Sequence, residues 1–239
     1  MEFKKKFRED LEIINQKLLN KEKFSFSKYA DGEHKILLNV PIRNCDNWFF
    51  DPNSDNKFYK MLMDSLKFKD DGYYIGVSCP CCDLMGYSWY LSEKGSDETH
   101  TTFANIFVNS NYDYFKNSLL PTFNTYDRIF LIANENSNLT KLKEVLNFTD
   151  FYGIGPEAFK TDLDLIDELK EIISDEEIKD SLFLFCAGPL GNVLSHQLWK
   201  FNKNNTYLDI GSTLNIWTEK NIRDYQTPNG MYTNKTCNF

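Results

Sequence analysis

Two carboxylates with one glycine between them, Asp31-Gly32-Glu33, separate a strand-like run over 24–30 from the helical-looking segment His34-Lys35-Ile36-Leu37-Leu38. On a tight strand-to-helix turn the pair can converge on one hard cation. An all-oxygen donor set suits Mg²⁺ or Mn²⁺, ions that usually hold a substrate's phosphates as well. The same residues also fit plain helix chemistry, with Asp31 as an N-cap and Glu33 as a favourable acid in the first turn.

A second motif, Gly188-Pro189-Leu190-Gly191, lies between a buried apolar run and the helical stretch 190–201. Glycines there let the backbone approach a ligand, and a helix N-terminus offers N–H groups to an anion. Asp209 follows about 20 residues on, the spacing of a ribose-binding acid in a dinucleotide fold. That opens a rival function, an S-adenosylmethionine- or NAD-dependent enzyme. Against it, the motif lacks the G-x-G-x-x-G form, and only one further strand follows it.

Candidate bases are Glu135, at the end of an apolar run, Asp209, and His100 in the polar stretch 97–102. His100 also reads as an exposed loop residue, and His196 as a helix-surface or satisfied core residue. No G-x-S-x-G and no cysteine beside a histidine supports a nucleophilic hydrolase. Cys79-Pro80-Cys81-Cys82 is a tight cluster, but zinc would want a second pair, and Cys45, Cys186 and Cys237 stand isolated. The expectation is therefore small buried residues at a strand-to-helix turn.

These residues need elements to hold them. Phe3, Phe7, Leu11, Ile14 and Leu18 mark an amphipathic first helix within residues 1–21. Strands are expected at 24–30, 73–78, 103–108, 128–133, 182–187 and 206–210. Helices are expected at 33–39, 56–67, 82–93, 112–119, 139–146, 161–174 and 190–201. Continuous apolar runs such as 129–133 and 182–187 suit strands covered on both faces. The fold class is thus α/β, a single Rossmann-like domain with a mostly parallel sheet flanked by helices. In such sheets ligands bind outside the carboxyl ends of the strands. Those tips carry Asp31-Gly32-Glu33, Asn109, Asn134-Glu135-Asn136, Gly188–Gly191 and Asp209-Ile210-Gly211-Ser212, a set suited to phosphates and sugars.

The chain has 239 residues with 41% hydrophobic and 15% aromatic content, enough for a substantial core in one domain. A net charge of −8 disfavours nucleic acid or an anionic membrane as partner. No apolar run approaches the ~20 residues of a membrane span, and the N-terminus lacks a signal-peptide core. A cytoplasmic location with reduced thiols is the expectation.

The order of strand, Asp31-Gly32-Glu33 turn and helix resembles the GT-D-fold glycosyltransferases, whose D-x-E motif serves the nucleotide-sugar and its metal. The resemblance continues through Asn105–Asn109 with Tyr112–Phe115, Ile129–Glu135, and Cys186–Gly191 leading to Tyr207–Gly211, and covers residues 24 to 215. It implies a hexosyltransferase that takes a hexose from a nucleoside diphosphate sugar, a UDP-sugar, to a glycan acceptor. Asp31 and Glu33 would hold the donor with Mn²⁺ or Mg²⁺, and the 188–191 turn would face donor or acceptor. Gly32, Asn109 and Asn134 join the expected binding set. The base is left open among Glu135, Asp209 and His100. The helix before residue 22 and the tail 218–239 fall outside the match and are left to acceptor binding or a homo-oligomer. A silent glycan-binding protein is the third possibility.

Overall fold

The computed structural model describes residues 2–227 and Cys237. In chain order its strands are β1 (Ser25–Tyr29), β2 (Ile42–Arg43), β3 (Phe49–Phe50), β4 (Tyr73–Val77), β5 (Thr101–Phe103), β6 (Ile129–Asn134), β7 (Asp150–Ile154), β8 (Leu182–Phe185) and β9 (Thr206–Asp209). Among the described residues seven of them make one sheet in the order β5-β4-β1-β9-β8-β6-β7, with every pairing parallel. β2 and β3 form a separate antiparallel hairpin. The α/β architecture expected from the alternating runs is the one observed.

Successive side chains of a strand point to opposite faces, and here both faces are covered. Phe130 and Ile132 join Phe183, Phe185 and Tyr207 in one core, while Ile129, Leu131 and Ala133 join Leu182, Leu184 and Leu208 in the other. Phe130 stacks on Phe183 with centroids 4.2 Å apart. A strand buried on both sides has no polar face, which is why β6 and β8 read as unbroken apolar runs. Truncating one such residue, for instance Leu131→Ala, should cost about 2–5 kcal/mol.

The first helix, Phe7–Leu19, buries Phe7, Leu11, Ile14 and Leu18, the face that the spacing predicts. The helix Pro189–Phe201 lies against β1 through buried polar contacts. Ser25 Oγ donates to the Ser195 carbonyl at 2.9 Å, and Asn192 Nδ2 donates to the Lys28 carbonyl at 2.7 Å. Each buried donor thereby finds an acceptor, and the Gly188 turn is fixed relative to the Asp31 turn.

The expected strands are corrected at four places: the short hairpin strands β2 and β3 and the edge strand β7 are additional, and the run 103–108 is replaced by a turn. β7 was not foreseen, because it is a half-exposed edge strand without an apolar run, anchored where Arg128 grips Asp150 through two bonds of 3.0 Å. The run 103–108 is not a strand. β5 ends at Phe103, and the chain turns with Ile106 N–H donating to the Phe103 carbonyl and Val108 N–H to that of Asn105. A buried apolar turn and a buried strand have the same composition, so periodicity cannot separate them. Of the expected tail 218–239, residues 228–236 and 238–239 lie outside the described residues.

Candidate functional site

β1 leads outward to β4 on one side, while β9 returns along the other half of the sheet to lie beside it. Loops that part on opposite sides of such a point leave a crevice at the carboxyl ends of the strands. A cavity of about 400 Å³ occupies it, within the usual size of a small-molecule site. Its wall includes Lys28, Asp31, Gly32 and Glu33 from the β1 tip, Asn134 from β6, Gly188 and Pro189 from the β8 turn, Gly211 and Ser212 after β9, and Lys220 and Arg223 beyond.

Asp31 opens the helix Asp31–Leu37; its carboxylate is exposed and accepts no hydrogen bond from a described residue. Ala30, not Asp31, is the N-cap residue. Glu33 sits at the third helical position and turns back, so that Oε2 accepts the Ala30 N–H at 2.9 Å. This is the carboxylate half of a capping box. Glu33 is 8% exposed, and burial raises its pKa above the usual carboxylate value despite the nearby Lys28 charge. One acid therefore stands open in the cavity, and the other has one oxygen committed to the helix start.

Asp209 ends β9 with 2% exposure, immediately behind this wall and not among the residues that line it. Its Oδ2 accepts the Lys28 N–H at 3.3 Å and its Oδ1 the Gly211 N–H at 3.1 Å. Burial pushes its pKa up to about 7, against the pull of Lys28 and with a smaller push from Glu33. Gly191 lies close to this contact: a Cβ there would meet the Asp209 carboxyl at 3.2 Å, and the carboxyl would have to give by a few tenths of an ångström. Gly211 holds a left-handed backbone, φ +56°, that favours glycine, and a Cβ there would lie 2.6 Å from Lys28 Cε and push the lysine aside. Lys28 is thus held between Asp209, the Gly211 turn and the cavity.

The remaining sequence-derived candidates separate. Gly32 and Gly188 line the cavity on either side of Trp48, and Asn134 lines it with Oδ1 accepting the Asn136 N–H. Glu135 is exposed and does not line it. His100 precedes the parallel strand β5, at the amino end of the sheet and so opposite the cavity. Its Nδ1 pairs with Asp97 at 2.7 Å, and its ring stacks on Tyr74. Asn109 turns away as well, with Nδ2 donating to Cys237 Sγ at 3.3 Å. His196 is buried, and among the described residues neither ring nitrogen has a hydrogen-bond partner; burial lowers its pKa to about 4, so it is a neutral core residue and not a satisfied one.

Sequence reasoning missed Lys28, Trp48, Lys220 and Arg223. Arg223 Nη2 binds both Asp46 carboxylate oxygens, at 2.5 and 2.6 Å, and so ties the segment after β9 to the β2–β3 hairpin across the cavity mouth. Lys28 stands three residues before Asp31 and could have been found by asking which cation accompanies the acids. Nothing local marked Trp48 or Arg223.

The parallel sheet and the helices that cover both of its faces make an α/β fold. Two solved structures of the domain of unknown function 1792 share it, one with a TM-score of 0.59 at 15% identity and the other 0.57 at 14%. In each case the match covers 84% of this chain and 82% of the other. That domain is described as having a distinct glycosyltransferase fold. No protein-family model matches the sequence, and no curated protein does. Among the described residues, no helix is long and apolar enough to cross a membrane.

Proposed function

We propose that this chain is a metal-dependent glycosyltransferase that moves a hexose from a nucleoside diphosphate sugar, a UDP-sugar, to a glycan acceptor. One observation carries this function: a single cavity at the sheet's carboxyl edge gathers the open carboxylate of Asp31 and the buried Glu33 with the cations Lys28, Lys220 and Arg223. Acids and cations together suit a ligand that brings both a divalent metal and a diphosphate.

The donor set fits Mg²⁺ or Mn²⁺. Both candidate ligands are carboxylates. Among the described residues, the only group of three or more histidine, cysteine or acidic side chains whose ligand atoms converge consists of cysteines. An ion that keeps several waters and is completed by substrate phosphates needs only one or two protein carboxylates, which is what Asp31 and Glu33 offer. Such an ion, when bound, supplies Lewis-acid neutralisation of the departing diphosphate. The chain's own part is to place charge around that group. The Arg223 guanidinium is held by Asp46, the Lys28 backbone is anchored through its N–H on Asp209, and the positive end of the helix Pro189–Phe201 opens at Gly188 and Pro189. Trp48 and Phe159, in edge contact at 5.6 Å between centroids, give the cavity an aromatic floor for a base or sugar face. Asp209 serves as a positioning residue for Lys28. Glu135 and His100, away from the cavity, take no part.

The test is release of nucleoside diphosphate from a panel of nucleotide-sugars, with and without Mn²⁺ or Mg²⁺, alongside thermal shift. Metal-dependent release, and stabilisation by UDP with Mn²⁺, are expected. Stabilisation by S-adenosylmethionine or NAD alone would overturn it in favour of a dinucleotide-type enzyme, and stabilisation by oligosaccharide alone in favour of a lectin-like protein.

A further inference from the structure

Away from the cavity, four sulfurs meet at the tip of β4. Cys79, Cys81, Cys82 and Cys237 bring their Sγ atoms all within 4.8 Å of one another. Cys237 is 155 residues beyond Cys82 in sequence and was isolated there, yet its sulfur lies 3.7 Å from Cys79, 3.6 Å from Cys81 and 3.6 Å from Cys82. Cys79 to Cys81 is 3.2 Å, and Cys81 to Cys82 is 3.8 Å. A Zn–S bond of about 2.3 Å puts the corners of a thiolate tetrahedron about 3.8 Å apart. Four of these separations lie close to that edge, Cys79 to Cys81 at 3.2 Å is shorter, and all exceed the bonded S–S distance of about 2.05 Å.

The surroundings are those of a thiolate cluster. Asn105 Nδ2 donates to Cys237 Sγ at 2.9 Å and to Cys79 Sγ at 3.2 Å, and Asn109 Nδ2 donates to Cys237 Sγ at 3.3 Å. Asn109 holds a left-handed backbone, φ +54°, to make that approach. Amide donors aimed at sulfur stabilise the negative charge that a four-thiolate site carries, and they orient its ligands. Ser110 Oγ fixes the backbone beside the fourth ligand by donating to the Cys237 carbonyl at 2.7 Å. Cys79 and Cys237 are buried with Phe7 and Phe103, while Cys81 and Cys82 are exposed, which gives an ion a way in.

We infer that these four cysteines form a structural zinc site that fastens residue 237 to the carboxyl edge of the sheet. With four protein sulfurs no position is left open for a substrate, so the metal is architectural. Binding Zn²⁺ displaces the thiol protons to solvent and leaves a Zn(S⁻)₄ centre of charge −2. The loop that carries three of the ligands continues into Asp83, whose Oδ2 lies 3.6 Å from Nδ1 of His34, in the same helix as Asp31 and Glu33. The zinc site therefore braces the neighbour of the donor cavity, whatever that cavity binds.

The decisive measurement is the metal content of the purified full-length chain, by mass spectrometry of the elements, followed by cobalt exchange. About one zinc per chain is expected, and cobalt should give the intense visible bands and sulfur-to-metal charge transfer of a tetrahedral thiolate site. Cys82→Ser and Cys237→Ser should each lower the retained zinc at least tenfold, while Cys45→Ser keeps it. The wild-type measurement decides the matter even if a variant fails to fold. A chain that takes up no zinc from supplemented buffer, one with a disulfide among the four cysteines, one with iron in zinc's place, or zinc retained undiminished by Cys237→Ser would each overturn the assignment.

Discussion

The Lys28 backbone N–H donates to the Asp209 carboxylate at 3.3 Å, across 181 residues of sequence and between the neighbouring strands β1 and β9. It joins the acid behind the cavity to the backbone of the residue whose side chain lines it, so the two walls of the site meet at this bond.

Asp209 has a pKa raised to about 7 in the fold against 3.8 for an ordinary aspartate. The folded chain then holds a proton that the unfolded chain releases. The stabilisation is complete below about pH 4 and is lost as pH rises through about 7. Glu33, also raised, has the same sign. Asp209→Asn, which keeps the shape without the charge, should flatten the dependence of Tm on pH over that window and raise Tm at its alkaline end. A pH–Tm profile parallel to that of wild type would refute the buried-acid account.

Asp31 and Glu33 should part company under mutation. Asp31→Ala removes an exposed carboxylate with no hydrogen-bond partner among the described residues, so stability should move by no more than about 0.5 kcal/mol. Turnover should fall by ~10²-fold or more. Glu33→Ala loses the bond to Ala30 N–H as well and should cost about 1 kcal/mol, which Glu33→Gln largely restores without restoring turnover. Denaturant titration and product release on the same three variants would check this, and wild-type rates in all three would remove the metal assignment.

Gly211→Ala combines a left-handed backbone with a clash on Lys28, since the new methyl would sit 2.6 Å from Cε. The strain should cost about 1–2 kcal/mol and displace the lysine. Both a lower denaturation midpoint and a higher donor KM are expected.

Arg223 and Asp46 hold the two sides of the cavity mouth together. A double-mutant cycle of Arg223→Ala and Asp46→Ala, read in donor affinity, should return a coupling of about 0.5–3 kcal/mol. Additive effects would mean that the pair does not shape the site.

Much of the fold was written locally. Strands buried on both faces must be apolar throughout, so β6 and β8 stood out, and the 3.6-residue period of Phe7, Leu11, Ile14 and Leu18 could belong only to a helix with one covered face. The turn at Asp31-Gly32-Glu33 was legible because short acids around a glycine favour a helix start. Its chemistry was ambiguous for the same reason, and the Glu33 bond to Ala30 shows the capping role at work in the cavity wall. What the sequence left undecided were relations between distant segments. Glu135 and His100 had the right residue types, yet a strand's direction puts His100 at the wrong end of the sheet, and a turn leaves Glu135 on the surface. Cys237 looked alone because its partners are more than 150 residues away, and only the return of the chain to the β4 tip brings the four sulfurs within reach of one another. Residue type and short-range period are set by local geometry; which acids share a cavity, and which thiols share a site, depends on strand order, which no local pattern encodes.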